Sequence, residues 1–105
     1  MYIGVDLGGT NIAVGLVDEN GKIIQRKSVK TDSSRDYKEI VKDMALCAKA
    51  VVEESGVGFD TVKAVGIGSP GTIDPKNGVI IYANNLPFDH APVAEEFKKH
   101  YDIDV

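Results

Sequence analysis

The chain has 105 residues, 43% of them hydrophobic, and a formal charge of −4 carried by interspersed acidic and basic side chains. That is the size of one domain, 1–105, able to bury a core without covalent staples, and it excludes the clustered positive face of a nucleic-acid binder. Cys47 is the only cysteine, which excludes an intrachain disulfide and a thiolate metal cage. Set among Met44, Ala48 and Val51, it reads as buried and inert. The start is not basic and no long apolar run occurs, so neither a signal peptide nor a membrane span is expected, and the setting expected is the reduced cytoplasm.

Tyr2 to Leu7 alternates, with Ile3, Val5 and Leu7 on one face, as in a strand half covered by a core. Ile12 to Asp18 is a second strand, and Asn20-Gly21 is a type I′ hairpin signal leading into a third, Ile23 to Val29. Three antiparallel strands therefore open the fold. Thr31 to Ser34 is a polar linker, with Ser33 or Ser34 as the helix N-cap. From Arg35 to Ser55 the period becomes helical through Tyr37, Ile40, Val41, Met44, Ala48, Val51 and Val52, until Gly56 and Gly58 stop it. Val62 to Ile67 is a fourth strand, and a helical crossover places it parallel to another strand of the same sheet. Asn77-Gly78 turns the chain into a short extended segment, Val79 to Tyr82. Pro92 to His100 is a second helix carrying Val93, Phe97 and Tyr101 on one face, with Lys98 and Lys99 in its last turn. Ile103-Asp104-Val105 then opens what reads as another strand, so the sequence is expected to belong to a longer protein.

The most informative stretch is Asp6-Leu7-Gly8-Gly9-Thr10-Asn11, between the first two strands. Glycines let backbone N–H groups face outward and remove the Cβ that keeps a phosphate at a distance. A strand-end aspartate can hold Mg²⁺ directly or through water, and a threonine hydroxyl adds a donor. The same residues also suit an ordinary tight hairpin. Gly66-Ile67-Gly68-Ser69-Pro70-Gly71 fits G-x-G-x-x-G, yet no helix follows. Pro75 and Asn77-Gly78 impose turns instead, which argues against a dinucleotide fold. A backbone-lined loop at a strand's C-terminal end is the reading that replaces it. Asn84-Asn85 offers paired amide donors and acceptors, suited to a polyhydroxyl ligand or simply to a turn. No G-x-x-x-x-G-K-[ST] loop occurs.

Taken together, Ile3-Gly4-Val5-Asp6-Leu7-Gly8-Gly9-Thr10-Asn11, Gly66-Ile67-Gly68-Ser69-Pro70-Gly71-Thr72-Ile73-Asp74 and Asn84-Asn85-Leu86-Pro87 resemble the ROK family (repressors, open reading frames and kinases). That family lies within the actin, Hsp70 and sugar kinase superfamily. The first motif is shared across the superfamily; the second, with the Asn-Leu after it, points to ROK. The resemblance spans the chain and about the first third of a typical ROK kinase. It implies an α/β, RNase-H-like (actin-like ATPase) domain with a mixed sheet, C-terminally truncated. It also implies ATP-dependent phosphorylation of a hexose, most commonly glucose, as in a glucokinase. By that similarity Asp6 serves Mg²⁺, Gly8, Gly9, Thr10 and Asn11 serve the ATP phosphates, and Gly71, Thr72, Asn84 and Asn85 lie at the sugar hydroxyls. Phe88 departs from members that carry a tryptophan nearby.

The resemblance also says what the chain lacks. The family's catalytic aspartate, in an Asn-Asp pair, is expected beyond Val105, as are its Glu-x-Gly-His sugar motif, zinc site and adenosine loop. Asp102 and Asp104 follow no asparagine and read as solvated, and His90 and His100 have no companion ligands. A full-length kinase of this kind is expected to be a homodimer. The rival readings are a sugar-sensing ROK-type transcriptional regulator and an actin- or chaperone-like ATPase.

Overall fold

The computed structural model describes residues 1–105. Strands β1 (Tyr2–Leu7), β2 (Asn11–Val17) and β3 (Ile23–Lys30) pair antiparallel, helix α1 (Tyr37–Ser55) crosses over, and β4 (Ala64–Gly68) returns parallel to β1. The sheet order is β3-β2-β1-β4. Strand alternation puts Ile3, Val5 and Leu7 beside Ile12, Val14 and Leu16, all buried. The apolar stripe of α1, including Ile40, Val41, Met44, Ala48, Val51 and Val52, covers that face. Each such side chain contributes about 1.5–3 kcal/mol at most, measured against an extended chain. This one contact is therefore the main source of stability, as the two periodicities predict.

The opposite face of the sheet is open. Gly4, Asp6, Ala13, Arg26, Ser28 and Gly66 are exposed there, in a shallow hollow of ≈ 740 Å³. Asp6 thus belongs to the face away from the core.

Two local expectations change. The β2–β3 turn is not type I′, because only Gly21 takes a positive φ (82°) and Asn20 does not. The Asp18 carboxylate accepts from the N–H groups of Asn20 (2.9 Å) and Lys22 (3.0 Å), and Gly21 N–H donates to Asp18 O at 3.1 Å. That bonding makes a type I turn closed by a left-handed glycine, and a separate register shift between Leu16 and Val17 leaves Ile24 without a partner. The second change is at the start of α1. Its N-cap is Asp36, without a side-chain capping bond, rather than Ser33 or Ser34. The Ser34 hydroxyl is committed elsewhere, donating to Asp32 Oδ1 at 2.6 Å. Gly56, at φ 81°, ends the helix as expected.

Beyond β4 the chain builds a second, smaller sheet. Strands β5 (Thr72–Asp74), β6 (Val79–Tyr82) and β7 (Asp89–Ala91) pair antiparallel in the order β5-β6-β7. Only β6 was legible as an extended segment. Three residues carry no alternation to read, and β7 contains His90 at φ 49°. Helix α2 (Val93–Lys98) packs on α1, burying Val93 and Phe97, with Tyr101 just after it. The residues Ile80, Ala83, Leu86, Phe88 and Ala91 join the core of the main sheet, so both sheets share one interior. Asp104 makes a parallel bridge with Ala64, its carbonyl accepting Val65 N–H at 2.8 Å on the outer side of β4. No helix is long and apolar enough to cross a membrane.

Candidate functional site

Because β1 and β4 run parallel, their C-terminal ends open on one edge of the sheet, where α/β folds bind ligands. Asp6 stands opposite Gly68 in that register, so the 8–10 turn and the 69–71 loop leave the sheet side by side. Asp6 and Thr10 are exposed, and neither side chain is engaged in a hydrogen bond or ion pair. Gly8 N–H donates to Asn11 O at 3.0 Å. Thr31, which is fully buried, donates its hydroxyl to Gly8 O at 2.7 Å and its N–H to Thr10 O at 2.9 Å. The N–H groups of Gly9 and Thr10 donate to nothing within the chain.

The two glycines of this turn are there for different reasons. A Cβ on Gly8 would lie 2.9 Å from Asn11 O, so the turn itself demands glycine. A Cβ on Gly9 would meet nothing within 4 Å, so no packing in this chain requires glycine there. What the missing side chain provides at Gly9 is access to the backbone from outside.

The second half of the site lies where β5 and β6 meet. Thr72 pairs with Tyr82, bringing the Pro70-Gly71 turn against the Ala83-Asn84-Asn85 turn. Gly71 has φ 97°, and a Cβ there would overlap the Tyr82 carbonyl oxygen and come within 2.8 Å of Ala83 Cα. Asn85 is left-handed at φ 62°, and Leu86 N–H donates to Ala83 O at 3.4 Å. So the turn-making reading of Asn85 holds for its backbone. Its amide, like that of Asn84, remains exposed and makes no bond within the chain. The expected residues Asp6, Gly8, Gly9, Thr10, Asn11, Gly71, Thr72, Asn84 and Asn85 thus fall in two adjoining groups, in turns and at the strand ends beside them.

Phe88, by contrast, is buried and packs on Tyr37 with ring centroids 6.1 Å apart, so it supports the second loop from beneath. Cys47 is buried, and its burial pushes the thiol above its ordinary range. His90 pairs with Asp89 at 2.7 Å and His100 faces Glu96 at 3.5 Å, while Asp102 and Asp104 are exposed. No three His, Cys, Asp or Glu side chains gather into a metal site. Thr31 is the residue sequence reasoning missed. It read as linker because its partner, Gly8, lies 23 residues away.

The chain is 38% identical over 98 residues to a glucokinase from Thermotoga maritima, covering 92% of this chain and 29% of that protein. Among solved structures it resembles a ROK family glucokinase from Streptomyces griseus in complex with glucose and AMPPNP. That likeness has TM-score 0.86 and 34% identity, and covers 99% of this chain and 31% of that one. A ROK family transcriptional regulator, a homolog of the E. coli MLC protein, shares the fold at TM-score 0.84 and 13% identity. The chain therefore spans about 30% of the length of the relatives it matches. A sequence model of the ROK family matches residues 2–105. With the glycine turn at residues 8–10 and the Gly71 and Asn84–Asn85 loops at one edge of an actin-like sheet, and that match over nearly its whole length, the chain belongs to the ROK family.

Proposed function

We propose that this chain is the N-terminal part of an ATP-dependent hexose kinase, a glucokinase in its main activity, which transfers the γ-phosphate of ATP to a sugar hydroxyl. One observation carries the reading. The unpaired N–H groups of Gly9 and Thr10 and the unengaged Asp6 carboxylate stand at the same sheet edge as the Pro70-Gly71 loop, which abuts the turn bearing the exposed amides of Asn84 and Asn85. Phosphoryl transfer relies on positioning and charge neutralisation, which is what such an edge provides.

In this reading Gly8, Gly9, Thr10 and Asn11 form the phosphate cradle, and Gly71, Thr72, Asn84 and Asn85 orient the hexose. The donor set suits Mg²⁺. One exposed carboxylate with a neighbouring hydroxyl matches an ion that keeps most of its waters and takes one or two protein oxygens. Bound Mg·ATP supplies the phosphoryl group and offsets its charge. Asp6 would hold the cation, the Gly9 and Thr10 N–H groups would fix phosphate oxygens, and the second loop would aim a sugar hydroxyl. The base that accepts the hydroxyl proton comes from residues following Val105, as does any structural zinc site. The full-length protein is read as a cytoplasmic homodimer.

Two outcomes test this. The protein of residues 1–105 alone will show no glucose-dependent ATP turnover, since losing a general base costs about 10²–10⁴ in rate and the nucleotide is held from one side only. A coupled assay on that chain that reaches even a tenth of the full-length rate would refute it. Gly9→Ala will change the unfolding free energy of the chain in urea by less than about 0.5 kcal/mol, because its Cβ meets nothing. In the full-length protein the same change will raise KM for MgATP about tenfold or more, through lost close approach. An unchanged KM would remove Gly9 from the phosphate cradle.

A further inference from the structure

We propose that Thr31 is a positioning residue for the phosphate cradle, and that it acts by fixing the direction in which the Gly9 N–H points. The inference rests on the phosphate reading above. Gly8 C=O and Gly9 N–H belong to one peptide unit, and the chain has no cis peptide bonds. In a trans peptide the two groups are antiparallel. The Thr31 hydroxyl holds the Gly8 carbonyl inward at 2.7 Å, so the Gly9 N–H must face outward. Thr31 N–H holds the Thr10 carbonyl at 2.9 Å and fixes the next peptide but one in the same way. One residue therefore pins both sides of the turn.

Thr31 is itself braced. The Arg35 guanidinium donates through Nη2 to the Thr31 carbonyl at 2.6 Å and pairs through Nη1 with Asp43 Oδ2 on α1 at 2.8 Å. The turn is thereby linked to the helix that forms the core. Thr31 is fully buried, so water cannot substitute for its hydroxyl if that hydroxyl is removed. Without it the Gly8–Gly9 peptide is free to rotate, and rotation would aim the Gly8 carbonyl dipole at the phosphates. The hexose loops share no bond with Thr31, so their function should not respond.

The test uses the full-length protein with Thr31→Val, Thr31→Ser and Asp6→Ala. Thr31→Val, which keeps the shape and loses the hydroxyl, should raise KM for MgATP about tenfold while KM for glucose stays within about twofold. Thr31→Ser, which restores the donor, should bring KM for MgATP back to within about threefold of the parent. Hydrogen exchange should quicken over residues 5–12 in the valine variant and not in the serine variant. If Asp6→Ala impairs MgATP use and Thr31→Val does not, the Thr31 inference is wrong and the phosphate reading stands. If neither variant impairs it, both are wrong. If valine and serine variants lose both substrates equally, Thr31 is merely structural and the inference falls. Should Thr31→Val not fold, Arg35→Gln carries the test. A rise in MgATP KM with glucose KM unchanged supports the brace, and no change in either overturns it.

Discussion

Replacing Asp6 by alanine will lower MgATP-dependent phosphorylation of glucose by the full-length protein at least about a hundredfold, with the thermal midpoint unmoved. The two halves of that expectation come from the same geometry. Asp6 lies on the exposed face of β1, contributes nothing to the core under α1, and has no partner to lose within the chain. Its removal therefore leaves packing intact. In the proposed reading, what disappears is the carboxylate at the sheet edge that would hold the cation, a group whose work would fall on the charge developing during transfer. The signature is a lowered kcat with a normal melting curve. A variant that melts well below the parent, or one that retains kcat, would assign Asp6 to structure or to nothing.

Gly71→Ala will be the most destabilising small substitution in the second loop, costing at least about 2 kcal/mol in urea unfolding of the chain. Two causes add. Alanine at φ 97° pays the steric cost of a backbone that L side chains avoid, and its Cβ overlaps the Tyr82 carbonyl across the β5–β6 pair. The strand β6 anchors Ile80 and leads to Ala83, both buried, so it has little room to withdraw. Glucose affinity should fall with it, since the Asn84–Asn85 turn rests on the same contact. A loss below about 0.5 kcal/mol would mean that the hairpin opens easily and does not fix the asparagines.

Gly9→Ala is the counterpart, and the pair separates fold from function. Glycines look alike in a sequence, yet Gly71 is required by its own chain and Gly9 is not. That difference is physical and was not legible beforehand, because it depends on which backbone lies across from each residue. The main sheet and α1 were legible for the opposite reason. Ile3, Val5 and Leu7 repeat at the strand period and Ile40, Met44, Val51 and Val52 at the helix period, so local pattern and tertiary burial coincide.

Where the two diverged, a side chain had found another partner. Asp18 took over the β2–β3 turn by accepting two N–H groups, and Ser34 bonded Asp32 instead of capping α1. Strands β5 and β7, at three residues each, were too short for any period to show. On the side of the candidate site, Asp6, Gly8, Gly9 and Thr10 stand out as candidates because carboxylate, glycines and hydroxyl are contiguous. Thr31 was hidden by distance along the chain, although it makes two of the three bonds that shape the turn.

The most direct measurement is a crystal structure of the full-length protein with glucose, Mg²⁺ and a non-hydrolysable ATP analogue. It should show the terminal phosphate oxygens on the N–H groups of Gly9 and Thr10, the cation's water shell on Asp6, and sugar hydroxyls on Asn84 and Asn85. Phosphates seated elsewhere, with the Gly9 and Thr10 N–H groups still facing solvent, would contradict the account.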